Sequence, residues 1–193
     1  MNATVPLSGS RVRLRLWRAE DREPFALMNF DARIMKFFRS PLGRIESDEV
    51  VDRIQKHFED QGFGLWALEV PGTAPFIGFC GLSVARFSAH FTPCVEVGWR
   101  LAYEHWGQGY ATEAAKVAVH YGFSELNLPE IVSFTSKCNL RSRAVMERLG
   151  MRQDPADDFD HPGLPPEHPL ARHVLYRLKN KVDVELSLQP IVR

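Results

Sequence analysis

The segment Val12 to Trp17, VRLRLW, alternates apolar and basic residues. A period of two predicts a half-buried strand. AEDREPFALMNF then changes to helical spacing, with Asp21 placed to cap it and Pro24 in its first turn. DARIMKFF predicts a short helix that packs Ile34, Met35, Phe37 and Phe38 inward. Pro41 and Gly43 break the chain before SDEVVDRIQKHFED, where Val50, Ile54 and Phe58 recur at helical spacing. Ser47 is the expected cap of that helix.

Two apolar runs follow, FGLWALEV and FIGFCGLSVA, joined by PGTAP. Strand-like runs around such turn residues predict a hairpin. CVEVGWRLA is a third strand, and GYATEAAKVAVHYGFSEL a long alanine-rich helix ending near Pro129. EIVSFTS is a short strand. NLRSRAVMERLG is a helix with Asn139 as its N-cap and Gly150 as its terminal glycine. MRQDPADDFDHPGLPPEHPLAR has five prolines in 22 residues, which argues against any regular element. HVLYRLKN returns to strand alternation, and KVDVELSLQPIVR is an extra strand or an ordered extension. The order of elements predicts an α/β domain: a mixed sheet with helices on both faces.

With 193 residues, one domain over 1–193 is expected. Hydrophobic residues are 45% and charged residues 25% of the chain, an ordinary globular balance that buries a core without staples. Lys plus Arg equals Asp plus Glu at 24 each, so net charge gives no reason to expect nucleic acid or an anionic membrane as partner. No apolar run reaches the roughly 18 residues that span a bilayer, and the N-terminus lacks the apolar stretch of a signal peptide. Cys80, Cys94 and Cys138 are few, odd in number and widely spaced. That fits free thiols in a reducing compartment, and so the cytoplasm.

EHWGQGYATE places Gly107 and Gly109 between a strand and a helix. Two readings compete: a tight turn, or a cradle for phosphate. The first turn of a helix has N–H groups without internal partners, and the helix dipole adds positive charge there. Glycine lets a ligand approach the backbone. The segment is neither a P-loop nor a dinucleotide fingerprint, because the required Gly-Lys-Ser/Thr ending and third glycine are absent.

The stretch VEVGWRLAYEHWGQGYATEA resembles the acyl-CoA-binding core of the GCN5-related N-acetyltransferases, in the branch typified by the ribosomal-protein N-terminal acetyltransferases. The likeness runs from RLRLWRAEDREPF to HVLYRL. Trp106 stands where the general signature has Gln or Arg, Gly109 holds the signature glycine and Ala111 its last place. NLRSRAVMERLGM is similar to a second family segment, with Met151 in place of Phe.

This resemblance implies a seven-strand sheet that splays between its fourth strand, CVEVGWRLA, and its fifth, IVSFTS. The pantetheine arm of CoA would enter the gap as an added strand does. Trp99, Arg100 and Leu101 would line it. Gly107, Gln108, Gly109, Tyr110, Ala111 and Thr112 would hold the pyrophosphate through backbone amides. Asn139 would contact pantetheine, cap its helix, or both, with Ser142 assisting. Acetyl-CoA is the implied co-substrate, and the acceptor is a protein N-terminus or a small amine. A homodimer is admitted.

Acetyl transfer needs an acceptor for the amine proton, a donor to the oxyanion and a proton for the leaving thiolate. A ternary complex makes the attack effectively unimolecular. A backbone N–H near Leu101 is the oxyanion donor that the resemblance implies. Glu96 is the candidate base; it shares a strand face with Gly98 and Arg100, so a structural pairing with Arg100 competes with catalysis. Relatives carry a tyrosine as acid where this chain has Met146. Tyr176 on the last strand is the substitute candidate, against a plain core role, with Ser142 or solvent behind it. His161, His168 and His173 have no compact metal-ligand spacing, so no metal site is expected. His161 and His168 either touch the acceptor or shape the proline loop. The enzyme reading competes with a non-catalytic acyl-CoA sensor and with a phosphate-binding structural module.

Overall fold

The computed structural model describes residues 6–180. The extension read in KVDVELSLQPIVR lies outside the described residues. The strands are β1 Leu7–Ser8, β2 Arg13–Arg15, β3 Leu65–Val70, β4 Ala74–Val84, β5 Val95–Leu101, β6 Glu130–Ser136, β7 Arg152–Gln153, β8 Phe159–Asp160 and β9 Arg172–Lys179. The helices are α1 Arg22–Phe30, α2 Ala32–Met35, α3 Arg44–Gln61, α4 Tyr110–Ser124 and α5 Leu140–Arg148.

The strands form one mixed sheet in the order β1-β2-β3-β4-β5-β6-β9-β7, with β8 also on β9. Every pairing is antiparallel except β5 with β6. β4 and β5 stay in register from Gly78↔Leu101 to Val84↔Val95. β5 and β6 register only at Glu96↔Val132, so the sheet parts beyond that pair. Nine strands are present among the described residues rather than seven. Three of them, β1, β7 and β8, are two residues long. The proline-rich segment is therefore not free of strand: β7 and β8 each lie on β9 where prolines are absent.

One face of the sheet carries α4 and α5 over Leu14, Trp66, Leu68, Cys80, Leu82 and Val97. Small residues set how close α4 sits: Ala114, Ala115 and Ala118 are fully buried. The other face carries α1 to α3 over Trp17, Ala67 and Phe79, with Phe25 of α1 packed among them. A smaller cluster of Phe91, Val132, Phe159 and Leu175 closes the β9 end. At Gly78, where φ is +134°, a Cβ would lie 2.1 Å from the Arg100 carbonyl oxygen, so only glycine lets β4 pass that point.

Two local expectations are corrected. The alternation of VRLRLW inverts at Arg15, which is 4% exposed while Leu16 is 41% exposed. Arg15 is drawn inward by Asp21, at 2.6 Å, and by Glu69, at 2.8 Å. Asp21 also accepts from the Arg18 amide at 2.8 Å, fixing the turn ahead of α1. Ser47 does not cap α3. The helix begins four residues earlier, where the Glu46 carboxylate accepts from the Gly43 amide at 2.7 Å. Ser47 is buried inside and accepts from Asn29 Nδ2 at 2.8 Å.

Candidate active site

A cleft of about 1740 Å³ opens where β5 and β6 part, and it is lined from both faces of the sheet. One half of it begins at the glycine loop. Gly107 and Gly109 have φ of +75° and +84°, a left-handed conformation that other residues adopt only with strain. The first intrahelical bond of α4 runs from the Glu113 amide to the Gly109 carbonyl. The amides of Tyr110, Ala111 and Thr112 precede it and are left for a ligand.

The loop is held at both ends by side chains. Trp106 Nε1 donates to the Leu101 carbonyl at 2.8 Å, tying the loop to the end of β5. Arg11, from the turn before β2, donates through Nη1 to the Gln108 carbonyl at 3.0 Å and pairs with Glu113 at 2.8 Å. The same Glu113 carboxylate accepts from the Arg11 amide at 2.6 Å. Arg141 stacks 4.6 Å from the Trp106 ring centre. Arg11 carries no local sequence signal as a site residue, since about a hundred positions separate it from the loop it clamps.

The splayed edge is built from β5. The Val97 carbonyl accepts from Ser133 Oγ of β6 at 2.9 Å, and the Leu101 carbonyl points to Trp106. By strand alternation, the N–H and C=O of Trp99, between them, face the same opening. Asn139 caps α5 by accepting from the Ser142 amide at 3.4 Å, and its Nδ2 donates to Thr135 Oγ1 at 3.0 Å and Ser142 Oγ at 3.2 Å. Asn139, Ser142 and Met146 all line the cleft.

The other half of the cleft lies on the other sheet face. Cross-strand pairing puts Glu96, Gly98 and Arg100 on one face beside Ser83, Gly81 and Phe79. Glu96 is reached from the cleft and makes no hydrogen bond or ion pair among the described residues; it does not pair with Arg100. Burial pushes its carboxyl up to about 8. Arg100 instead bonds Asn29 and stacks on Phe38, at 4.0 Å, so its side chain lies in the half of the cleft away from the glycine loop, not on the edge where it was expected to line the gap. Phe37 and Phe38 were expected in the core; they line the cleft, and Phe38 is 41% exposed.

Tyr176 is not in the cleft. It is 3% exposed on the α5 side of β9, where its hydroxyl donates to Glu147 Oε1 at 3.0 Å and accepts from Arg143 Nε at 3.3 Å. Its partner Ser133 does line the cleft, but the Tyr176 hydroxyl is turned to α5 and engaged there by Glu147 and Arg143. The acid role expected of Tyr176 therefore has no geometry in the cleft to support it.

The loop histidines divide. His161 lines the cleft, its ring centre 5.0 Å from that of His173, and burial lowers the basicity of both. His168 does not line it; its Nδ1 accepts from the Leu170 amide at 3.1 Å and shapes the loop. Phe87, Phe91 and Phe159 back Phe134 as packing. Among the described residues no three His, Cys, Asp or Glu groups converge as a metal site would require, and no helix is long and apolar enough to cross a membrane.

Residues 11–152 match the family model of the acetyltransferase (GNAT) domain, and the chain belongs to this family. Two curated relatives are each 31% identical. One is the Bacillus subtilis (strain 168) protein YkkB, over 78% of this chain and 87% of that one. The other is the Aspergillus fumigatus FsC-acetyl coenzyme A-N(2)-transacetylase, over 78% of this chain and 66% of that one. Among solved structures, an acetyltransferase from Agrobacterium tumefaciens str. C58 superposes with a TM-score of 0.73 at 28% identity, covering 90% of this chain and 94% of that one. The chain is thus an N-acetyltransferase that uses acetyl-CoA as co-substrate. The site fits that co-substrate: helix-start amides free of internal partners and an open strand edge lie in one cleft.

Proposed function

We propose that this chain acetylates the primary amine of a small molecule by direct attack within a ternary complex, with Glu96 taking the amine proton. The observation that carries this reading is the unpartnered Glu96 carboxyl, on the acceptor face of the strand whose edge opens to the cofactor half. A carboxyl raised to about 8 by burial is a stronger base once ionised, and it titrates near working pH. The pyrophosphate is held by the amides from Gly107 to Thr112, and pantetheine lies along the Trp99 edge. A backbone N–H near Leu101 polarises the thioester carbonyl as negative charge develops. With Met146 at the usual acid position and Tyr176 turned away, the leaving thiolate takes its proton from water.

The WGQGYATEA stretch is similar to the form common in the ribosomal-protein N-terminal acetyltransferase branch. The acceptor half, however, is bounded by Phe37 and Phe38 at one end and by His161, Gly163 and Leu164 at the other. Such walls favour a compact amine over a protein N-terminus.

Rate measurements with acetyl-CoA and a reactive small amine test the reading. Wild-type turnover should rise with pH through an ionisation near 8. Glu96→Gln should lower turnover roughly a hundredfold or more and lack that ionisation, with CoA affinity kept. Normal turnover in Glu96→Gln across pH would remove Glu96 from the chemistry.

A further inference from the structure

The cleft holds a fixed cation that the protein leaves without a counter-ion. Arg100 reaches from β5 to α1, where Nη1 donates to the side-chain oxygen Oδ1 of Asn29. Asn29 is itself fully buried and anchored to Ser47 at 2.8 Å. The guanidinium carbon sits 4.0 Å from the Phe38 ring centre and 5.4 Å from that of Phe79. Amide and rings hold the fork in place without neutralising it. Nε is buried and has no hydrogen-bond partner. Among the described residues no carboxylate pairs with Arg100, and Asn29 is its sole hydrogen-bond partner.

Arginine 15 shows what this fold does with a buried guanidinium that only holds structure together. It is paired with two carboxylates, Asp21 and Glu69, and also donates to the Leu16 and Pro75 carbonyls. Arg100 has one neutral partner and lines the acceptor half beside Glu96. Burial lowers its basicity only to about 10, so it is charged at neutral pH. A desolvated cation strongly favours a ligand that brings the missing anion. The planar, stacked guanidinium suits a carboxylate, which it contacts in its own plane.

We propose that Arg100 receives a carboxylate of the acceptor while the acceptor's amine lies at Glu96, so that the substrate is an amino acid whose reacting amine and carboxylate are several bonds apart. The spacing follows from the strand. The four residue steps from Glu96 to Arg100 span about 13 Å of strand. Hydrogen bonds of about 3 Å at each end still leave the ligand's two groups several bonds apart. That separation suits an ω-amino acid or a side-chain amine, and exceeds the reach of an α-amine. A polyamine would meet an unneutralised positive charge instead. This inference rests on the small-amine reading above.

The test compares acceptors on the purified chain with acetyl-CoA: 6-aminohexanoate, its amide, hexylamine, glycine and spermidine, read as thiol release and acetylated product. The expected result is a kcat/KM for 6-aminohexanoate at least tenfold above each of the others. Arg100→Gln should erase that preference. Asn29→Asp, which supplies the missing counter-ion with little change of shape, should erase it too. Equal rates for acid and amide, or a preference for spermidine, would overturn the proposal. So would an undiminished preference in folded Arg100→Gln. Should no amine be acetylated, the small-amine reading fails separately. Calorimetry of 6-acetamidohexanoate against its amide on the CoA-loaded chain then decides the Arg100 site: tenfold tighter binding of the acid supports it, and equal binding overturns it.

Discussion

Glu96 and Val132 form the single registered pair between β5 and β6, and the sheet opens beyond them. A carboxyl thus stands at the fork of the sheet. Its partner on β6, Val132, is apolar and offers it no polar group from that side.

An unpartnered, desolvated carboxyl has a consequence for stability. Its folded pKa, about 8, lies above the 4.5 of a free glutamate. The folded state therefore binds the proton more tightly than the unfolded chain. Stability from this group is fully present below about pH 4.5 and is lost as pH rises toward 8. Glu96→Gln should leave the melting temperature unchanged near pH 4.5 and raise it by a few degrees at pH 8.5. Thermal melts of both proteins across pH check this. A lower melting temperature for Glu96→Gln at pH 8.5 would mean that the carboxylate has a structural partner after all.

The clamp on the glycine loop predicts a specific loss of phosphate binding. Arg11→Ala removes the contacts to the Gln108 carbonyl and to Glu113, and should weaken CoA binding about tenfold. Binding of pantetheine, which lacks the phosphates, should change little. Gly109→Val places a branched side chain at φ +84° and should weaken CoA binding at least as much. Gln108→Ala should be close to wild type, because that residue serves through its backbone. Calorimetric titration of the three variants with both ligands tests the set, and CoA affinity unchanged in Gly109→Val would rule out the cradle.

The hydroxyl of Tyr176 bridges Glu147 and Arg143 away from the cleft. Tyr176→Phe should keep full turnover and cost about 1 kcal/mol of stability, the usual net worth of such hydrogen bonds. Steady-state rates and a denaturant melt measure both. A tenfold fall in turnover at unchanged acceptor affinity would return this tyrosine to the chemistry.

The sequence by itself determined most of the elements and the glycine loop at one end of the cleft. Period-two runs became β3 to β6 and β9, and GQGYATE became a left-handed glycine ahead of α4, because these properties depend on neighbours one to four residues away. The placement of Glu96, Gly98 and Arg100 on one face followed from the same short range. What tertiary structure decided involves partners far apart in the chain. Arg15 turned inward because Glu69 lies 2.8 Å from it, overriding the alternation of its own strand. Arg11 became part of the loop through contacts 97 and 102 residues away. The Tyr176 hydroxyl is held away from the cleft by Glu147 and Arg143 of α5, and Phe38 meets Arg100 at the cleft wall. Local periodicity reports which face a residue occupies, but the identity of what faces it is set only when distant segments pack.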